Sequence, residues 1–327
     1  MLTVDLAGQW TVSQADGTLT IPATVPGSVF ADLLAAGKLP DPYWRDNEDA
    51  MQWVGKADWV FRRAFDVSAD VLAHGRVLLR CEGLDTLATI RLNGKRIAKT
   101  NNMHRTYEFD VGGKLKRGRN EIEVRFDSAV KFCDALDKKR KLIRCGEEIT
   151  SASFGYLRKC ACNFGWDWGP MLTTAGIWRD IQIVAFDEAR LTEVQVTQTH
   201  ARGRVTLGVT ARAELVGKGK RRAAITVRRN GRKVAEATAD VRSGKASADI
   251  VIDKPKLWWP AGMGDQPLYE VDIELLDASG ALLDTDSRRI GLRTMEVVQK
   301  ADKWGTSFHF ECNGVPFFAK GVNWIPA

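Results

Sequence analysis

The sequence predicts an all-β chain arranged as two successive β-sandwiches, and three observations carry that prediction. Nearly every long segment alternates apolar and polar residues at a period of two, as in Asn120-Glu121-Ile122-Glu123-Val124-Arg125-Phe126, the pattern of a strand with one buried face. Asn93-Gly94 and Asn230-Gly231 each sit between such segments and mark tight type I′ hairpins. At 327 residues the chain exceeds one ordinary domain of about 100–200 residues, and two sandwiches with a fragment of a third domain fit that length.

The first sandwich is expected over residues 1–187. Its opening residues run straight into a strand containing Trp10. The spacing of Val29, Phe30, Leu33 and Leu34 predicts one short helix over residues 28–36, with Ser28 as its N-cap. Val77-Leu78-Leu79-Arg80-Cys81 reads as a buried strand, and residues 88–92 and 95–98 as the two arms of a hairpin. Residues 129–147 are highly charged and helix-compatible, which predicts a helical or irregular excursion over the surface.

Residues 188–296 hold the second series. Short strands are expected at 194–197, 205–209, 224–229, 246–251, 271–276 and 288–292. Many short strands over about a hundred residues indicate an immunoglobulin-sized sandwich. From 297 to 327 the character changes: residues 308–318 read as a hairpin and residues 319–325 as a further strand with nothing to pair with. An unpaired strand leaves its backbone groups unsatisfied, so this segment is expected to open a third domain that lies outside the chain.

Composition narrows the function. Hydrophobic residues make up 44% and charged residues 27%, an ordinary globular balance that argues against disorder. The net charge of +7 is concentrated in Lys138-Lys139-Arg140-Lys141 and Lys218-Gly219-Lys220-Arg221-Arg222. Neither run has interleaved aromatics, so both are read as solvated loops and no nucleic-acid partner is expected. No apolar run approaches the roughly 20 residues that cross a bilayer, and no membrane association is expected. Without an export signal at the N-terminus, the six cysteines are expected reduced and the protein cytoplasmic. Cys160-Ala161-Cys162 is too closely spaced for the usual zinc site, and no metal or cofactor is expected. The four His are scattered and suggest no nucleophilic triad.

The densest chemistry lies in Phe164-Gly165-Trp166-Asp167-Trp168-Gly169-Pro170. One carboxylate between two indoles is the mixture that sugar recognition needs: an aromatic face for the ring C–H surface and an acceptor for hydroxyls. The same residues would also suit two core tryptophans with an aspartate closing a turn. Trp258-Trp259 reads as the plug at the end of a core or a seam, and Asn47-Glu48 as a structural or pocket-rim element. No pair of carboxylates with the spacing of a glycoside hydrolase can be nominated.

Taken together, these motifs resemble the β-mannosidases of the glycoside hydrolase family that includes β-galactosidases and β-glucuronidases. The resemblance is near colinear: Leu6-Ala7-Gly8-Gln9-Trp10, Val25-Pro26-Gly27-Ser28-Val29, residues 41–48, Trp59-Val60-Phe61-Arg62-Arg63, Glu82-Gly83-Leu84-Asp85-Thr86, residues 164–170, Gly176-Ile177-Trp178, Trp258-Trp259-Pro260, residues 289–293 and residues 321–326. Residues 164–170 are its most specific part, and Phe30 departs from it where relatives often carry His. The resemblance implies a jelly-roll (galactose-binding-like) sandwich, an immunoglobulin-like sandwich, and the start of a truncated (β/α)8 barrel. It implies that Trp166 and Asp167 line the subsite for a terminal mannose of a β-mannoside, with Asn323 and Trp324 near the pocket floor on the first barrel strand. The family's two catalytic Glu lie on later barrel strands, so the chain is expected to hold no catalytic residue and to be inactive alone. A free-standing carbohydrate-binding protein is the alternative, and it would end near residue 296.

Overall fold

A computed structural model describes residues 1–142 and 154–325. The chain divides into two compact units, Leu2–Ala185 and Phe186–Trp324.

The N-terminal unit is a jelly-roll-type sandwich. One sheet has six antiparallel strands in the order Thr20–Val25, Gly8–Gln14, Trp59–Val67, Gly118–Asp127, Leu87–Leu92 and Lys95–Lys99. The other has four, in the order Leu2–Asp5, Ile181–Phe186, Arg76–Cys81 and Tyr107–Asp110. Alternation does what the sequence predicts: Asn120, Ile122, Val124 and Phe126 of one strand are all buried. Ile122, Val124 and Phe126 join a core with Trp10, Val12, Trp59, Phe61, Leu79 and Ile183. Phe61 and Phe126 meet edge-to-face at 5.7 Å and 89°, an arrangement worth about 0.5–1.5 kcal/mol beyond the area it buries.

The expected short helix is Val29–Ala35, and the Ser28 hydroxyl accepts from the N–H of Ala31 at 3.4 Å. Phe30 packs against the sandwich core. Asp32, on the same helix, is buried; its Oδ1 accepts from the N–H of Thr24 at 2.9 Å, while Oδ2 has no partner among the described residues. Burial pushes the Asp32 carboxyl above its ordinary value of 3.8, against the opposing Thr24 hydrogen bond. The native chain therefore keeps this proton to higher pH than the unfolded chain. Its contribution to stability is fully present below 3.8 and is lost as pH rises through the raised native value. Asp32→Asn is expected to be more stable than wild type at neutral pH and to lack that loss. Urea midpoints measured from acid to neutral pH check this; a mutant less stable at neutral pH would contradict it.

The helix expected over 129–147 is Ala129–Asp137, capped by Ser128, and the basic residues 138–141 that follow are exposed. Residues 143–147 of that expectation lie outside the described residues. Asn93-Gly94 turns between Leu87–Leu92 and Lys95–Lys99 with φ of 51° and 77°, as a type I′ turn requires. The Asn93 amide donates to the Lys114 carbonyl at 3.0 Å and to Asn120 Oδ1 at 2.8 Å, and its own oxygen accepts from Glu121 N–H at 3.0 Å.

The C-terminal unit contains a sandwich of three strands, Ala189–Ala201, Arg204–Leu215 and Lys245–Asp253, against four, in the order Arg232–Asp240, Arg222–Arg229, Leu268–Leu276 and Leu282–Gly291. Three against four antiparallel strands is the immunoglobulin-like arrangement. Val205, Leu207 and Val209 face Ile225, Val227, Val271 and Ile273 across its core. Buried Tyr269 keeps its hydroxyl satisfied by accepting from the N–H of Lys256 at 2.9 Å. Asn230-Gly231 makes the second such turn, with φ of 50° and 75°. Trp258 lies over Gly291, where a Cβ would come within 2.8 Å of the indole, and Arg293 stacks on it at 4.2 Å.

Two expectations are corrected. Arg221, read as part of a solvated basic run, is buried and ion-paired with Glu188, so one member of the run is structural. Its position at the start of a strand, beside the chain that enters the sandwich, gives the guanidinium a carboxylate partner that charge counting does not reveal. Residues 319–325, read as a strand, carry no secondary structure, whereas the hairpin before them forms from His309–Cys312 and Val315–Phe317. Alternating apolar residues are not enough for a strand, because its backbone groups need a neighbouring edge. Val322 and Trp324 are 90% and 87% exposed there.

Candidate functional site

The aromatic motif lies on a long connection between Gly118–Asp127 with its following helix and the closing strand Ile181–Phe186, and anchors to the N-terminal unit hold its described part, residues 154–175, in place. The deepest is a buried ion pair. Lys159, its side chain 0% exposed, donates to Asp85 Oδ1 at 2.5 Å. Thr174 completes the cluster, donating to Asp85 Oδ2 at 2.6 Å and accepting from Lys159 Nζ at 2.9 Å, and the Thr86 hydroxyl also donates to Asp85. Burial pushes the Lys159 ammonium below its usual value, and the Asp85 carboxylate pulls it back up. Asp85 lies on the short strand Leu84–Asp85, which pairs with Gly176–Ile177, so both ends of the loop are fixed to one place.

Two further anchors flank the motif. The N–H of Met103 donates to the Arg158 carbonyl at 3.0 Å, and the Trp178 indole donates to the Met103 carbonyl at 3.1 Å. Just past Pro170, both backbone groups of Met171 are clamped: its N–H donates to Glu48 Oε2 at 2.8 Å and its carbonyl accepts from Gln52 Nε2 at 2.7 Å. Glu48 is therefore committed to shaping the loop, which supports the structural reading of Asn47-Glu48. The motif hides this role, because the partner lies 123 residues away.

Between these anchors the chain makes a tight reversal. Trp166 and Gly169 exchange both backbone hydrogen bonds at 3.3 Å, which leaves Asp167 and Trp168 as the two residues of the turn. Gly165 enters the reversal at φ 111°, a conformation that favours glycine. The aromatic rings form a chain from core to surface. Phe164 is fully buried beneath the helix Ala129–Asp137; Phe154 contacts both Phe164, at 6.2 Å, and Trp166, at 6.0 Å; Trp166 contacts Trp168 at 5.5 Å. Trp166 is half-buried and Trp168 is 43% exposed. Asp167 is exposed at the tip and has no hydrogen-bond partner among the described residues. Neither Trp166 nor Trp168 is a core residue, Asp167 does lie in a tight turn, and Asp167 and Trp168 face outward.

Asn323 and Trp324 belong to the other compact unit and are exposed. A groove of about 520 Å³ on the N-terminal unit, lined in part by Asp58, Thr89, Thr100, Asn101, Ser128 and Phe132, includes none of the four expected site residues. Its walls are the helix Ala129–Asp137 and a sheet end, and the two carboxylates on its lining, Asp58 and Asp127, are both ion-paired with Arg125. Among the described residues no group of three or more His, Cys, Asp or Glu could hold a metal ion. No helix among them is long and apolar enough to cross a membrane.

Comparison with known proteins agrees with the two-sandwich architecture. Residues 10–179 match the glycosyl hydrolase 2 galactose-binding domain-like family, and residues 189–293 match glycosyl hydrolases family 2. Beta-mannosidase B of Emericella nidulans is 35% identical over 321 residues, covering 95% of this chain and 37% of that protein. Beta-mannosidase B of Aspergillus niger is 37% identical over 311 residues, covering 93% of this chain and 36% of that protein. The crystal structure of a beta-D-mannosidase from Dictyoglomus thermophilum superposes with a TM-score of 0.93 at 35% identity, covering 100% of this chain and 40% of that one. The chain thus spans little more than a third of the length of the curated relatives it matches.

Proposed function

The chain belongs to glycosyl hydrolase family 2, and from that premise we propose that it forms the non-catalytic front of a retaining exo-β-mannosidase acting on terminal, non-reducing β-D-mannose. The observation that carries the reading is the Trp166–Gly169 turn, which holds beside two indoles a carboxylate with no partner among the described residues. Trp166 and Trp168 offer apolar faces to the C–H surface of a sugar ring, and Asp167 accepts hydrogen bonds from its hydroxyls. A wall of this kind closing one end of a pocket admits single terminal residues and excludes internal ones.

In this reading residues 297–327 begin a barrel domain, and Asn323 and Trp324 approach the pocket floor once that barrel surrounds them. Two Glu of the barrel carry the chemistry: one attacks the anomeric carbon while the other protonates the leaving oxygen, and water then releases mannose. The relatives' greater length and their names support this reading. The test is hydrolysis of matched aryl β-glycosides. A full-length protein that contains this chain is expected to prefer the β-mannoside over the β-galactoside and β-glucoside, and the 1–327 chain is expected to turn over none. Turnover by the 1–327 chain would overturn the division of labour, and a preference for another sugar would overturn the substrate.

A further inference from the structure

Two thiols lie between the buried Lys159 anchor and the Trp166–Gly169 turn, and neither the fold nor the proposed sugar contact uses them. The Sγ atoms of Cys160 and Cys162 are 3.6 Å apart, and both residues are half-buried. The backbone of Cys160 is held: its N–H donates to Met103 Sδ at 3.1 Å, and the residue before it is locked onto Asp85. Cys162 lies inside the 3-10 turn Ala161–Phe164, and its carbonyl accepts from the N–H of Gly165 at 3.1 Å. Gly165 leads directly into Trp166. A thiol pair alone supplies two of the four ligands that a structural zinc needs, and no third is at hand among the described residues.

We propose that Cys160 and Cys162 form a reversible intramolecular disulfide whose closure repositions Trp166 and Trp168. A disulfide needs its sulfurs about 2.05 Å apart, so the pair must close by roughly 1.5 Å. Because Cys160 is held by its own N–H and by the locked residue before it, the displacement falls on Cys162. It passes through the Cys162 carbonyl to Gly165, and from there to the indoles of the turn. Other described cysteines compete poorly: Cys81, Cys133 and Cys312 are buried, and burial pushes the Cys133 thiol up to about 11.

The co-reactant is a small-molecule disulfide such as oxidised glutathione. One protein thiolate attacks a sulfur of that disulfide, forming a mixed disulfide and releasing one glutathione thiolate. The second protein thiolate then displaces the other glutathione and closes the ring. The two protein thiols lose two electrons, the small disulfide gains them, and the two thiol protons pass to the released thiolates. Any effect on sugar binding rests on the function proposed above; the disulfide itself does not.

The experiment treats the full chain with oxidised glutathione and maps its tryptic peptides. Cleavage after Lys159 and Arg179 places both thiols, Trp166 and Trp168 on the single peptide 160–179. That peptide is expected to lose two hydrogen masses, reversibly with dithiothreitol, and the intrinsic tryptophan emission of the intact chain is expected to shift with it. The shift is expected to be absent in Cys160→Ser, in Cys162→Ser and in a Trp166→Phe/Trp168→Phe double variant. Persistent glutathione adducts, a bridge from either thiol to Cys145, or an emission unchanged by ring closure would each overturn the proposal. A full-length protein containing this chain that shows the full redox response but hydrolyses no β-mannoside would count against the proposed function and leave this inference standing.

Discussion

Replacing Asp85 by Ala is expected to destabilise the N-terminal unit by about 3–5 kcal/mol, because it leaves the Lys159 ammonium buried without its counter-charge. Lys159 is fully buried, and Asp85 and Thr174 are its hydrogen-bond acceptors. Burial already lowers the Lys159 pKa, and the charge of the Asp85 carboxylate is the main influence that raises it. Its loss therefore drives the native pKa further below that of the unfolded chain. Between those two values the unfolded chain binds more protons, so the stability of the variant rises with pH through that window, which is wider than in wild type. A double variant, Asp85→Leu with Lys159→Met, removes both charges and is expected to recover most of the loss. Denaturant unfolding at several pH values measures all three. A loss under about 1 kcal/mol for Asp85→Ala would show that the pair does not hold the loop.

The second large effect rests on the proposed function. Asp167→Ala in the full-length enzyme is expected to lower kcat/KM for an aryl β-mannoside by about 10–150-fold, the equivalent of losing charged hydrogen bonds worth about 1.5–3 kcal/mol. Stability is expected to stay at the wild-type level, since Asp167 is exposed at the tip of its turn. That combination separates Asp167 from Asp85, whose loss acts through the fold. Asp167→Asn keeps one acceptor oxygen and is expected to fall between wild type and Ala. An unchanged kcat/KM for Asp167→Ala would remove Asp167 from the pocket.

These two aspartates also show what a sequence discloses. Local signals were legible: the alternation in residues 120–126, the Ser28 cap and the two Asn-Gly turns depend on neighbours in the chain. Trp166 and Asp167 stood out because residue types suited to sugar contact fell within a few positions. The role of Asp85 and the partner of Glu48, which the sequence marks only as a structural or pocket-rim residue, stayed hidden, since Lys159 and Met171 lie 74 and 123 residues away. No periodicity marks such a contact; it exists only after the sandwich has closed. Residues 319–325 fail for the opposite reason. Their pattern suits a strand, but pairing is a property of two segments, and the described chain offers them no edge.

The two Asn-Gly hairpins differ in chemical durability. Deamidation begins when the backbone nitrogen after an asparagine attacks the side-chain amide carbon, which requires that amide to swing free. The amide of Asn93 is tied at both ends, to the Lys114 carbonyl and Asn120 on one side and to the Glu121 N–H on the other. Asn230 is exposed at the tip of its hairpin. The polar tether that sets the register of the first hairpin thus also shields it from ageing, and the immunoglobulin-like sandwich carries the more perishable turn.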